Sequence, residues 1–431
     1  MYTIHLIRSG LLLGLGLVAS AASAQVEYRS LDLQATFGSQ LVPAKSSVEV
    51  RWEYLGKARF GDIDTAGAES PLPETGKNEV EDRLKAMSAE LDARHWVAVN
   101  LRTGDEYLVE LPLDTARSLR MLSAKAGWEQ GYEGPANDPT GARAEAQMPL
   151  LGDAKGWSNG HDSRTRRFDN TSYPYRAMGQ IGGGLDWGCS GTLVGRRHVL
   201  TAAHCLFGWI EQDDGSFEGT WTLGGRFRAG REGNCNNASC EPYGEQQGVW
   251  YYTPAAWRAS RNAWNHDYGL IVLDGTPGSQ TGWLGYAAIA QGSLEDYCDK
   301  VPFGPGYLGG QCYNRGYPAC GFDEAPLECR VNNSLQGWAY QDSKPCEIGS
   351  FGSNGADGWA ARFSTNCDLS RGHSGSAVFT NAWNGSGHVV FGVVSTQTCT
   401  TCSAGEVYVN GIRRVTPEVL DMIAYFKADK P

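Results

Sequence analysis

All 12 cysteines of the 431-residue chain lie at or beyond Cys189, and the first two enclose a candidate hairpin. The stretch "CSGTLVGRRHVLTAAHC" (189–205) sets two runs of apolar and β-branched residues around Gly195-Arg196-Arg197. Such runs flanking a short Gly-containing turn predict paired strands. Cys189 and Cys205 are placed to bridge the start of the hairpin to its end, holding His204 where the second strand runs out. Ala202 and Ala203 leave space beside the ring. From Phe168 on, short apolar or alternating runs recur at 177–181, 192–200, 270–273, 388–395 and 406–412, broken by Gly, Asn and Pro. That rhythm predicts an all-β sandwich or barrel. Only the end reads as a helix: Thr416 caps, Pro417 suits the first turn, and Val419, Met422, Ile423 and Phe426 share one face.

The cysteines need an oxidising compartment, and the N-terminus supplies the route to one. Arg8 precedes an apolar run from Leu11 to Val18, and Ala22-Ser23-Ala24 leads into Gln25, the pattern of a cleaved signal peptide over 1–24. The protein is expected to be secreted, extracellular or, from a Gram-negative bacterium, periplasmic. No later run is long enough to span a bilayer, so no membrane partner is expected. A formal charge of −11 argues against nucleic acid. Cys399 and Cys402 form the only Cys-x-x-Cys, read as disulfide chemistry, with no metal or cofactor expected.

Residues 25–167 form the second expected unit, a propeptide domain and linker. Val48, Val50, Trp52 and Tyr54 alternate as in a half-buried strand, and Val80, Leu84, Met87 and Leu91 share a helix face. Thr103-Gly104-Asp105 reads as the turn of a hairpin. A small α+β domain is expected. From about Gly131 to Arg167 periodicity stops, as in a linker. Arg164, Arg166 and Arg167 at its end read as a processing site. Residues 168–431 form the third unit.

Two further stretches bear on His204. In "NHDYGLIVL" (265–273) Asp267 enters an apolar strand, where an ionised carboxylate is costly unless paired. In "CDLSRGHSGSAVF" (367–379) Gly372 and Gly375 flank His373 and Ser374, so the backbone can turn sharply and gather its N–H groups. A serine there can attack a carbonyl if a base takes its proton. The backbone N–H groups of Gly372 and Ser374 would then meet the oxyanion, while a carboxylate orients the base.

"TAAHC", "HDYGLI" and "GHSGS", in the order His, Asp, Ser, resemble the chymotrypsin-like serine endopeptidases over roughly 173–427. The resemblance implies two antiparallel β-barrels with a C-terminal helix and a site between the barrels. It implies His204 as general base, Asp267 as its orienter, Ser374 as nucleophile, and Gly372 and Ser374 as the oxyanion hole. "YPYRAMGQI" and "GHSGSAVF" look closest to the bacterial glutamyl endopeptidase-like branch, whose members are secreted with an N-terminal propeptide. The expected partners are a protein or peptide substrate and the chain's own propeptide.

Departures from the pattern affect activation and specificity. Animal trypsins place an aspartate before the nucleophile to receive a new N-terminus; here His373 stands there, so that ion pair is not expected. His373 and His266 are read as structural or surface residues. Val394 stands where glutamyl endopeptidases usually have a histidine, which weakens an acidic P1 preference. Asp368, six residues before Ser374, and Glu406 lie where the pocket is expected, with Ser395 and Gln397 on its lining strand. A pocket acid would favour Arg or Lys at P1, and the Arg166-Arg167 junction would then be a self-cleavage site. The alternatives are an active endopeptidase with an acidic or apolar P1 preference, or a protease-like binding protein without turnover. Serine esterases of the α/β-hydrolase type need another order of residues, and no His-Glu pair exists for a zinc peptidase. Of the other cysteines, Cys235 and Cys240 could close a small loop, and Cys367 is expected to reach Cys399 or Cys402.

Overall fold

The computed structural model describes residues 25–32, 47–61, most of 79–112, and 162–430 apart from short stretches, the longest being 299–311. The expected signal peptide, most of the linker, Glu406 and Cys402 lie outside the described residues.

The hairpin around Arg196 forms as its sequence predicts, with strands Cys189–Leu193 and His198–Thr201. It belongs to a closed ring. Met178–Ile181 pairs with Cys189–Leu193, and His198–Thr201 pairs with Gly269–Leu273. Gly269–Leu273 pairs with Glu245–Pro254, and Arg226–Ala229 joins that strand back to Met178–Ile181. Every pairing is antiparallel, and the interior is filled by Val199, Ile271, Phe227 and Tyr251, each wholly buried. Closure leaves these strands no open edge within the ring.

The second sheet is also antiparallel along its path. Its order is Ile348–Phe351, Arg362–Thr365, Tyr408–Arg414, Val389–Cys399, Ala377–Thr380, Cys312–Gly316, Tyr340–Asp342 and Arg164–Arg166. Gly285–Tyr286 adds to Val389–Cys399 in parallel. Its core is Phe363, Val378, Phe391, Val394 and Ile412. The expected all-β, chymotrypsin-like double barrel with one long C-terminal helix, Pro417–Asp429, is therefore present.

Locally, the N-terminal segment matches its pattern: a strand Ser47–Lys57, a helix Glu79–Ala86, and a hairpin of His95–Asn100 and Asp105–Glu110. The helix ends before Leu91. Its strands are not a sheet of their own, however. Glu245–Pro254 has ten residues and outruns its four-residue partner Arg226–Ala229. The leftover edge takes His95–Asn100, and Asp105–Glu110, Ser47–Lys57 and Val26–Asp32 follow. Trp52 and Trp96 are fully buried against the C-terminal helix, where Trp52 Nε1 donates to the Tyr425 hydroxyl at 2.9 Å. Burying side chains of this size stabilises by roughly 2–3 kcal/mol each.

The three-arginine stretch also differs from expectation. Arg164–Arg166 is a strand beside Tyr340–Asp342, and the Arg164 side chain, 0 % exposed, pairs with Asp162 at 2.9 Å. A processing loop needs an exposed backbone; this one is built into a sheet. Among the described residues the bridges are Cys189–Cys205, Cys235–Cys240, Cys298–Cys312, Cys320–Cys329 and Cys346–Cys367. The first two agree with the sequence reading. Cys367 is corrected: it pairs with Cys346, and connectivity of this kind is not encoded in spacing.

Candidate active site

His204 sits in a one-turn 3-10 helix, Ala203–Cys205, one residue after the strand His198–Thr201. Cys205 ties that turn to Cys189 at the start of the hairpin. Asp267 follows another such turn, Trp264–His266, and precedes the barrel strand Gly269–Leu273. It is wholly buried, and three donors offset its desolvation. Oδ1 accepts the His204 backbone N–H at 2.9 Å, while Oδ2 accepts from His204 Nδ1 at 2.8 Å and from the Ser395 hydroxyl at 2.5 Å. Bonding through Nδ1 leaves Nε2 as the basic nitrogen. Burial alone would lower the His204 pKa, but the charge and hydrogen bond of Asp267 outweigh it and raise the group above its ordinary value.

The loop from Gly372 to Gly375 reaches the first barrel through Ser190. Ser190 N–H donates to the Ser374 carbonyl at 2.7 Å, and its hydroxyl donates to the Gly372 carbonyl at 2.7 Å. Thr201, three residues before His204, holds the Ser190 carbonyl at 2.9 Å. Both loop glycines have positive φ, +89° at Gly372 and +80° at Gly375. A Cβ at Gly375 would lie 2.0 Å from Thr201 Oγ1, so only glycine lets the loop close on that strand. The N–H groups of Gly372 and Ser374 donate to no acceptor among the described residues, and Ser374 Oγ makes no hydrogen bond there. These are the groups an acyl-transfer site leaves open for substrate.

The histidines read as structural are placed accordingly. His373 is buried, its Nδ1 lies 3.1 Å from Asn314 Oδ1, and burial holds its pKa well below the ordinary value. His266 is lowered by burial too. Neither contacts Ser374 or His204 through a hydrogen bond among the described residues.

The pocket residues fare differently. Val394 is core, with its main chain bonded to Gly375 and Ser376. The Ser395 hydroxyl, expected on substrate, lies on Asp267. Gln397 lies on the same strand, and Glu406 is outside the described residues. Asp368 is 4 % exposed and already engaged: Oδ2 accepts the Ser163 backbone N–H at 2.8 Å, and its own N–H donates to Asp342 at 3.1 Å. Burial raises both carboxyls, Asp342 well above its ordinary value, and the two hydrogen-bond to each other. Ser190 and Arg164, which braces Ser370 at 2.7 Å, were not singled out as parts of this site by sequence reasoning. Neither residue carries a local signal, because each acts on a loop far away in the chain.

The Trypsin family model matches residues 162–297. The matched residues contain His204 and Asp267, while Ser374 lies beyond them. An Extracellular metalloprotease of Bacillus subtilis is 38 % identical over 132 residues, 30 % of this chain and 38 % of that protein. A Glutamyl endopeptidase of Bacillus licheniformis is 36 % identical over 128 residues, 30 % of this chain and 36 % of that protein. The chain thus spans little more than a third of the length of these relatives. A solved Glu endopeptidase in complex with MPD aligns at TM-score 0.43 and 19 % identity, covering 63 % of this chain and 99 % of that one. Of the three stretches that carry the trypsin-family resemblance, "TAAHC" and "HDYGLI" lie within the matched residues and "GHSGS" lies beyond them. Among the described residues no helix is long and apolar enough to cross a membrane.

Proposed function

We propose that the protein is a secreted serine endopeptidase made as a zymogen. The observation that carries this is the grip of Asp267 on His204, beside a loop whose oxyanion donors are unspent. His204 Nε2 takes the Ser374 hydroxyl proton as Oγ attacks the peptide carbonyl. The Gly372 and Ser374 N–H groups hold the oxyanion, and Asp267 stabilises the imidazolium. The imidazolium then protonates the leaving amine, giving an acyl-Ser374. Water, deprotonated by His204, releases the acid and restores the serine.

The P1 side chain is proposed to be acidic, replacing the basic preference read from the sequence. Asp368 is committed to Ser163 and Asp342, so it offers no free carboxylate to Arg or Lys. The B. licheniformis relative bears the name of a glutamyl-specific enzyme. Residues 25–167 contain the propeptide, with the cut before Asp162, because Arg164 belongs to the second sheet and Asp162 pairs with its side chain.

A metal route does not fit the donors. The two candidate clusters among the described residues are Cys189, His204, Cys205 and Asp342, Cys346, Cys367. In each, the sulfurs are joined to one another, and metal binding needs thiolate.

A fluorophosphonate probe tests the nucleophile. Intact mass and peptide mapping of the processed protein should show one adduct, on Ser374, lost in Ser374→Ala and strongly slowed in His204→Ala. An adduct elsewhere, or none on processed protein, refutes the assignment.

A further inference from the structure

The strand Val389–Cys399 is paired unequally. Ala377–Thr380 accompanies it only as far as Val393, whereas Tyr408–Arg414 stays beside it to Cys399. Val394 is still held by Gly375 and Ser376 of the nucleophile loop. From Ser395 to Gln397 that edge has no strand beside it among the described residues. It begins at the residue whose hydroxyl bonds Asp267. An extended peptide adding to this edge would run past Thr396.

A guanidinium waits at Thr396. Arg362, on the strand Arg362–Thr365, reaches across Tyr408–Arg414 and donates from Nη2 to Thr396 Oγ1 at 2.5 Å. It crosses at Gly411, where a Cβ would lie 2.6 Å from Arg362 Nη2 and 2.2 Å from Thr396 Oγ1. Any side chain there would close the passage. Arg362 has no carboxylate partner among the described residues, and its Nε is buried without an acceptor. Its cross-strand neighbour Arg413, by contrast, has a carboxylate partner in Glu418 and also donates to the Ala361 and Arg414 carbonyls. Burial lowers the Arg362 pKa, the Asp267 carboxylate opposes this, and Arg413 adds to it. This half-buried cation, in the field of Asp267, is hydrogen-bonded to one hydroxyl and to no carboxylate among the described residues.

We propose that Arg362 is a specificity-determining residue that binds a carboxylate side chain of the peptide substrate two to four residues before the scissile bond. This rests on the peptidase reading above and adds a second acidic preference distinct from P1. The open edge brings the peptide to Thr396, and the guanidinium, carried there over Gly411, pairs with an acidic side chain lying above it. A charge-assisted pair in a half-dry site discriminates an acid from its amide.

The test uses the processed enzyme and quenched peptides sharing one cleavable bond, with Glu or Gln at P2, P3 or P4 in turn. At one of these positions the wild type should prefer Glu by about tenfold or more in kcat/KM. In Arg362→Gln the ratio should fall close to one, with the loss on the acidic peptide, and Arg362→Lys should retain part of it. Thermal melting checks that the variants fold. A wild-type ratio near one at all three positions overturns the proposal without any variant, as does a preference that survives in Arg362→Gln. In both cases cleavage itself leaves the peptidase reading standing. A wild type that cleaves no peptide and no denatured protein overturns both.

Discussion

The Ser395 hydroxyl donates to Oδ2 of Asp267 at 2.5 Å, the same oxygen that holds His204 Nδ1 at 2.8 Å. One carboxylate oxygen therefore carries both His204 and a link to the strand Val389–Cys399 of the second sheet. Ser395→Ala should leave the fold intact and lower kcat about tenfold, since a hydrogen bond to a charged group is worth about 1.5–3 kcal/mol. Without that donor the Asp267 charge acts more fully on His204. The acid limb of the activity profile should therefore move to higher pH. Steady-state kinetics across pH measure both; an unchanged profile would separate Ser395 from the triad.

In the proposed mechanism His204 works as a base only when neutral, and Asp267 raises its pKa. Activity should fall as pH drops through that raised value, so the acid limb lies above the ordinary histidine range. Asp267→Asn removes the charge: the limb should move down, and kcat should fall about 10⁴-fold. A limb that stays in place would show that another group controls it.

Asp342 and Asp368 titrate with folding. Their folded-state pKa values lie above the unfolded ones, so the native state binds more protons between the two. Their contribution is full below the ordinary carboxylate range and is lost as pH rises through the raised values. Asp368→Asn can still accept the Ser163 N–H and donate to Asp342. Relative to wild type it should gain stability from pH 4 to pH 8, read as a rising Tm difference of about 2–4 °C per kcal/mol. The same variant separates the pocket readings. Cleavage after Arg or Lys that disappears in it would restore Asp368 to the pocket floor.

Gly375→Ala places a methyl 2.0 Å from Thr201 Oγ1 and 2.4 Å from the Ser190 carbonyl, at a φ of +80°. The loop must lift from the strand leading to His204. Activity should drop at least about 100-fold, as small misplacements of reacting groups do, with a measurable fall in Tm. Near-normal kcat would show that the loop does not depend on this contact.

Much of this site was legible in the residues. Alternation and turn chemistry placed His204 at the end of a hairpin, a costly buried charge marked Asp267, and paired glycines marked the Ser374 loop. What escaped depends on distance in the chain. Ser190 looks like any strand serine until the loop containing Gly372 and Ser374 folds over it. The N-terminal strands join the first barrel because Glu245–Pro254 is longer than its partner, a comparison of strands that local patterns do not contain. Asp368 held the expected position, but Ser163 and Asp342, remote in sequence, had already claimed its carboxylate.

Cleavage-site mapping of one denatured protein mixture, digested with the processed wild type and with Ser374→Ala, tests the central claim most directly. The account predicts cuts after acidic residues, all absent from the Ser374→Ala digest. Cuts that persist in Ser374→Ala, or no cuts at all from processed wild type, would contradict it.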